Sequence, residues 1–289
     1  MSVLLACDKL YLFLHVCPLF LYVFNSTCAY RVKQYIARGE VKRLNLFTCR
    51  AKIKSMRVEP RSVGSIVHVV QRGARGLDIV QDTQDYTRFP GLLFYFNDSF
   101  SDPNWLKTAR TFRQLQRPDY WPDRDPLVRI LAWTLLPNHF HLLLEEIREN
   151  GISKFMQRLC GSMSMAFNTK YSEKGSLFQG SYKSRTVDTD EYFSYLAFYI
   201  QVKNVLELYP GGLTGAMRNF DDAWQWASQY PFSSFSSYVT DAISLITDHE
   251  RFLELFPGAR PSKTDYREML ALHMQHHDEK YSDLCLESW

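Results

Sequence analysis

The sequence predicts one main domain of mixed strands and helices, on three observations. Leu131 to Glu146 (LAWTLLPNHFHLLLEE) places an apolar β-former at nearly every position and reads as a strand buried on both faces. Ser65 to Gln71 (SIVHVVQ) reads as another strand, ended by Arg72-Gly73. Gly151 to Tyr171 sets Ile152, Phe155, Met156, Leu159, Met163, Ala166 and Phe167 at three- and four-residue steps, the spacing of a helix with one apolar face. A chain of 289 residues that is 46% apolar and 15% aromatic has ample material for a core. It forms one large domain, or one domain with appendages.

Three segments are expected: residues 1–56 as an N-terminal extension, 57–208 as the main domain and 209–289 as a C-terminal helical extension. Within the first, Leu10 to Phe24 is an apolar run interrupted by His15 and Pro18. It is shorter than the roughly 20 residues needed to cross a bilayer, and Asp8-Lys9 is a poor basic flank for a secretory signal. Three readings stand: a weak membrane-directed leader, a helical extension, or upstream sequence joined through a start codon assigned too early. The change of character at Met56 favours the last.

Beyond the first strand, Asp82-Thr83-Gln84-Asp85 offers cap chemistry for a helix carrying Tyr86, Phe89, Leu92, Leu93 and Phe96, which Pro90 should kink or split. Ser99 to Pro126 is polar and reads as a loop with a short helix near Trp105 to Gln116. Leu127 to Ile130 leads into the apolar stretch, where Pro137-Asn138 breaks the ladder and makes the turn of an antiparallel hairpin that restarts at His139. Asp188-Thr189-Asp190 caps a later helix on which Tyr192, Tyr195, Tyr199 and Lys203 fall along one stripe. Phe220 to Ala227 is expected to be helical, Pro231 to Tyr238 a loop, and Ile243 to Lys280 two or more helices.

The chemistry-bearing candidates lie along this frame. His139 and His141 are two apart on a strand, so both rings project from one face, close enough to share a divalent cation. The bland alternative is a pair of core histidines bonded to backbone, but four buried ring nitrogens then need partners away from water. Gly175 and Gly180 bracket Phe178 and lead into Tyr182, Lys183 and Arg185, a set that suits a sugar–phosphate backbone or an ordinary turn. On the helix from Gly151, Lys154, Arg158 and Lys170 decorate a solvated side or touch phosphate. On periodicity alone, a tyrosine stripe at helical spacing is usually core packing. His273, His276 and His277 read as a solvated helix end rather than a metal cluster.

A formal charge of +3 permits a nucleic-acid partner without requiring one, so any basic surface must be local. Cys7, Cys17, Cys28 and Cys49 lie in the first fifth, leaving Cys160 and Cys285, and no CxxC pair suggests a zinc knuckle. Reduced thiols and a cytoplasmic setting are expected. Neither a GxxxxGK[ST] phosphate loop nor a GxGxxG fingerprint occurs, so no nucleotide cofactor is expected, and no firm membrane partner is expected either.

Taken together, His68-Val69-Val70-Gln71-Arg72-Gly73, Leu136-Pro137-Asn138-His139-Phe140-His141, Gly175-Ser176-Leu177-Phe178-Gln179-Gly180 with Tyr182-Lys183-Ser184, and Tyr199-Ile200 resemble the single-tyrosine HUH transposases, particularly the REP-associated type. The resemblance covers about Ser62 to Leu208, and Trp224 to Tyr238 resembles the family's downstream piece.

The resemblance implies a small α+β domain, an antiparallel sheet flanked by helices of ferredoxin or RRM-like form, with the histidines on a central strand. It implies a divalent ion, Mg²⁺ or Mn²⁺, on His139 and His141, polarising the scissile phosphate of single-stranded or hairpin DNA. Tyr199, preceding Ile200, is implied as the nucleophile, leaving a 5′-phosphotyrosine link and a free 3′-OH that later permit strand transfer. His68, Arg72, Phe178, Tyr182, Lys183 and Arg185 are implied as DNA contacts. The family includes monomers and homodimers. The sequence departs from the family pattern where an Asn or Gln completes the metal shell a turn after the tyrosine: Lys203 stands there and Asn204 follows without a proline. An ammonium cannot ligate a cation. Asn204 reaching in after a one-residue shift, Gln201 or His68 substituting, or extra waters would each resolve this, and Lys203 could hold the phosphate or lower the pKa of Tyr199. The alternatives from other classes are a hairpin-binding protein without chemistry and a replication-type HUH nickase.

Overall fold

A computed structural model describes residues 62–102, 104–105, 115–240, 242–255, 262–275 and 286. The chain divides into two units, Met1–Lys54 and Ser55–Trp289, and every described residue lies in the second. The expectations for residues 1–56, for most of the Trp105 to Gln116 segment, and for His276 and His277 fall outside the described residues. No helix among the described residues is long and apolar enough to cross a membrane.

The domain is α+β. β1 (Ile66–Arg72), α1 (Thr83–Phe96), β2 (Val128–Leu135), β3 (His139–Glu146), α2 (Gly151–Tyr171) and β4 (Lys183–Thr186) follow in chain order. The four strands form one antiparallel sheet in the order β2-β3-β1-β4, the βαββαβ arrangement of ferredoxin-like folds. Three residues, Leu136-Pro137-Asn138, separate β2 from β3, so the hairpin turn falls where the proline removes a ladder donor.

Strand alternation sorts the sheet into two faces. Val67, Val69, Phe140, Leu142 and Leu144 face one way, into a core shared with α1 and α2. Leu143 faces the other way, with Leu131 and Ala132, toward α3 (Asp190–Phe198). A register shift between Ile130 and Ala132 explains how two consecutive residues of β2 reach the same face. The Asp82 side chain caps α1 by accepting from the amides of Gln84 and Asp85. Pro90 does not split α1: the helix runs unbroken from Thr83 to Phe96, with Phe89, Leu92 and Leu93 buried on the sheet around it. That packing outweighs the single backbone bond a proline forfeits.

Thr189 caps α3 by accepting from the Tyr192 amide. The helix continues as a π turn over Tyr199–Lys203 and regains α geometry over Asn204–Leu206. It is apolar on both sides because it is covered on both. Tyr192, Leu196 and Ile200 meet the sheet, while Phe198, Val202 and Val205 meet α4 (Gly212–Arg218), α5 (Phe220–Ser228), α6 (Phe235–Val239) and α8 (Lys263–Gln275) in a separate apolar cluster. α6 occupies part of the stretch expected to be a loop, anchored where the Ser234 amide donates to the Trp133 carbonyl beside β2. α7 (His249–Leu255) follows a segment that bridges β2 through Ile130 and Thr247.

Candidate active site

The helix-facing side of the sheet carries three imidazoles. His139 and His141 lie on β3 with ring centroids 5.0 Å apart, and His68 reaches them from β1. His68 Nε2 lies 3.0 Å from His141 Nδ1 in a buried hydrogen bond between nearly parallel rings. His139 Nδ1 lies 2.6 Å from Asn138 Oδ1. An amide oxygen only accepts, so His139 carries its proton on Nδ1 and its lone pair on Nε2. The amide of Asn138 is itself oriented, its Nδ2 donating to the Gly76 carbonyl. The neighbouring Gly73 admits this close approach of chains: a Cβ there would collide with the Leu77 carbonyl oxygen, and its amide donates to the Asn138 carbonyl.

Tyr199 closes the site from the helix. Its ring stands edge-on to His141 at 5.6 Å between centroids and to His68 at 6.4 Å. Of the stripe expected on this helix, Tyr192, Tyr195, Tyr199 and Lys203 are all buried. Tyr199 is 2% exposed, so the stripe is core packing and site lining at once. The Lys203 ammonium lies over the Tyr199 ring, 4.3 Å from its centroid, and pairs with Glu207 at 2.7 Å. Thr134, opposite His141 in the β2–β3 register, donates its hydroxyl to the Ile200 carbonyl and pins the helix to the sheet.

The π turn bears on the departure noted at Lys203. In an α-helix the residue four on stands over Tyr199; here the Asn204 amide donates to the Tyr199 carbonyl, a bond closing five residues on. The turn thus absorbs one residue in the backbone, while the Lys203 ammonium still lies over the Tyr199 ring. Asn204 and Gln201 are fully buried, and among the described residues neither carboxamide has a hydrogen-bond partner. Two buried, unsatisfied amides are costly unless something polar occupies the space between them and their neighbours. No group of three or more His, Cys, Asp or Glu side chains among the described residues could hold a metal ion. His139 and His141 share one face of β3, and imidazole is a donor that suits divalent metals.

The other expected contacts divide. Arg72 lies opposite His139 in register, Lys183 opposite Val70, and Arg185 opposite His68, so all three half-buried cations belong to the imidazole side of the sheet. Arg185 also stacks over the Tyr192 ring at 5.5 Å. His68 Nε2 meets His141 Nδ1. Phe178 stands apart from these residues. It is 5% exposed and packs edge-to-face on Phe140, in the core on the far side of the sheet from the imidazoles. Its loop is tied to β1 by Gln71 Nε2 donating to the Gly180 carbonyl and by the Gln179 amide donating to the Arg72 carbonyl. Tyr182 leans on that same core, its hydroxyl 3.3 Å from Ser153. On α2, Lys170 is held by Asp82 and Asp85, and Arg158 donates to the carbonyls of Asp98 and Ser99.

His273 is the residue that reading the sequence misplaced. It is not a solvated helix end but 7% exposed, with Nδ1 3.3 Å from the Tyr195 hydroxyl. The signal was present in the spacing, since Tyr266, Leu270 and His273 share one face of α8.

Residues 124–203 match the family described as Transposase IS200 like. The chain carries an IS200-like transposase domain. The match runs from the approach to β2 through the π turn, so His139, His141, Tyr199 and Lys203 lie inside it, while β1 with His68 and α8 with His273 lie outside. Over residues 124–203 the chain is similar to IS200-like transposases. Among solved structures, a REP-associated tyrosine transposase bound to a REP hairpin is similar over 66% of this chain and 92% of that chain, at 15% identity and a TM-score of 0.38. A comparison with curated proteins finds no match.

Proposed function

We propose that this transposase domain cleaves and rejoins single-stranded DNA, hairpin-bearing strands in particular, through a covalent bond to Tyr199. The observation that carries the reading is the edge-on packing of the Tyr199 ring against His141 and His68, which brings a phenol onto the face that bears the imidazoles. Tyr199 Oη attacks the phosphorus as its proton passes to solvent, and the bond to the 3′ oxygen breaks as that oxygen takes a proton from water, giving a 5′-phosphotyrosine link and a free 3′-OH. Attack of another strand's 3′-OH on that link reverses the exchange. One phosphate ester replaces another, so no nucleotide cofactor is required.

The residues have separate tasks. Asn138 fixes the tautomer of His139, and His68 orients His141. The Lys203 cation offsets charge on the phenolate and is itself held by Glu207. Arg72, Lys183 and Arg185 supply positive charge along the imidazole side of the sheet, where a phosphate backbone would run. His139 and His141 on one face of β3, with Asn204 as third donor, would hold Mg²⁺ or Mn²⁺, which when bound offsets charge on the scissile phosphate. The buried position of Tyr199 means that a phosphodiester reaches it only after the surrounding packing opens.

The test is incubation with a pool of single-stranded hairpins and Mn²⁺, followed by sequencing of protein-linked DNA. A covalent adduct that is lost in Tyr199→Phe is the expected result. The burial of Tyr199 also favours a second reading, a hairpin-binding protein without chemistry. Tight hairpin binding that EDTA leaves unchanged, with no adduct under any metal, selects that reading instead.

A further inference from the structure

We infer that His273 is a positioning residue for Tyr199, acting through Tyr195, and that the active unit therefore extends to α8. The inference rests on the reading of Tyr199 as nucleophile. Tyr195 and Tyr199 are four apart on the same helix, with ring centroids 5.6 Å apart. The His273 ring lies 6.3 Å from each of them, tilted to Tyr195 and edge-on to Tyr199. Tyr199 is thus clasped between two sets of rings: His68 and His141 from the sheet, Tyr195 and His273 from the helical side.

Burial alone would be served by apolar side chains in these places. A buried phenol and a buried imidazole each cost free energy unless paired, and here they are paired with each other, Tyr195 Oη to His273 Nδ1. A hydrogen bond has direction where apolar contact has none, so the pair fixes the tilt of the Tyr195 ring and, through it, the ring of Tyr199. α8 is itself anchored for the task. Tyr266 packs edge-on against Phe198, on the side of the tyrosine helix away from the sheet, and Leu270 is fully buried in the same cluster. Tyr266, Leu270 and His273 fall on one stripe, so the anchors and the polar contact belong to one rigid face.

The experiment uses the full chain, with a single-stranded hairpin oligonucleotide recovered from the pool above, in Mn²⁺. His273→Leu and Tyr195→Phe are each expected to slow single-turnover adduct formation about tenfold to a hundredfold, with the DNA concentration for half-maximal rate unchanged. The double variant should be no slower than the worse single one. His273→Asn, which keeps a polar atom near the Nδ1 position, should recover to within about threefold of the wild-type rate. Full activity in His273→Leu, or additive losses in the double variant, overturns the inference. Absence of any adduct in the wild-type chain, or an adduct surviving Tyr199→Phe, strikes the functional reading instead. The contact is then judged by the melting temperatures of the wild type, His273→Leu, Tyr195→Phe and their double variant, where purely additive shifts overturn the pairing.

Discussion

Tyr199 and His141, one on the helix and one on the central strand, stand edge to face with 5.6 Å between their ring centroids. The other tyrosines of the stripe meet different partners: Tyr195 turns to His273, and Tyr192 to Arg185. Tyr199→Phe should therefore abolish the covalent DNA adduct, whereas Tyr192→Phe should retain it within about threefold of wild type. Denaturing gel electrophoresis of labelled hairpins reads both outcomes. An adduct that persists in Tyr199→Phe moves the nucleophile elsewhere.

Asn138 acts on the candidate metal pair without belonging to it. Removing its oxygen in Asn138→Ala frees the His139 ring to turn and to change tautomer. The Mn²⁺ concentration giving half-maximal adduct formation should rise about 10- to 100-fold, with the maximal rate less affected. An unchanged metal titration would show that Asn138 does not orient a ligand.

Lys183 and Arg185 lie on β4, at the edge of the sheet. If their charges meet phosphates, Lys183→Ala and Arg185→Ala should each weaken hairpin binding. Each should also shallow the slope of log K against log salt by about 0.7 for every phosphate no longer neutralised. Fluorescence anisotropy over a salt series measures the slope. Equal slopes in wild type and variants would assign these cations to internal roles alone.

Phe178 packs as core against Phe140. Phe178→Ala should destabilise the domain by about 3–5 kcal/mol in urea unfolding, as large buried aromatics do. Hairpin affinity of the fraction still folded should stay within about twofold. A stable variant with specifically impaired binding would return Phe178 to the DNA surface.

Acid should loosen the contact between α1 and α2. The hydrogen bond from Lys170 holds the Asp82 carboxyl below the ordinary range. Burial alone would lift Asp85, but bonds from Lys170 and Tyr171 outweigh it and its carboxyl also titrates low. Because both folded values are depressed, the stabilisation is present above the unfolded value of about 4 and is lost as pH falls through the lower folded values. Lys170→Met should be less stable than wild type at pH 7, and the gap should close as pH falls through the lowered folded values. A gap that persists in acid would show that the lysine stabilises by packing alone.

Periodicity and alternation settle facts local to a segment. The strand period put His139 and His141 on one face and Phe140 on the other. The helical period placed Ile152, Phe155 and Leu159 on the buried side of α2 and aligned Tyr199 with Tyr195 and Tyr192. Proline and asparagine chemistry placed the hairpin turn and the helix caps, because those effects act over a few residues. Other features depend on which distant segments meet. Phe178 looks available to a ligand beside its glycines until Phe140 is found against it. His273 looks solvated until α8 folds back onto Tyr195. The π turn answers to packing on both sides of one helix, with Thr134 gripping Ile200 from the sheet and Val202 and Val205 held from behind. No periodicity in the chain announces it, yet it sets the backbone bond from Asn204 to Tyr199.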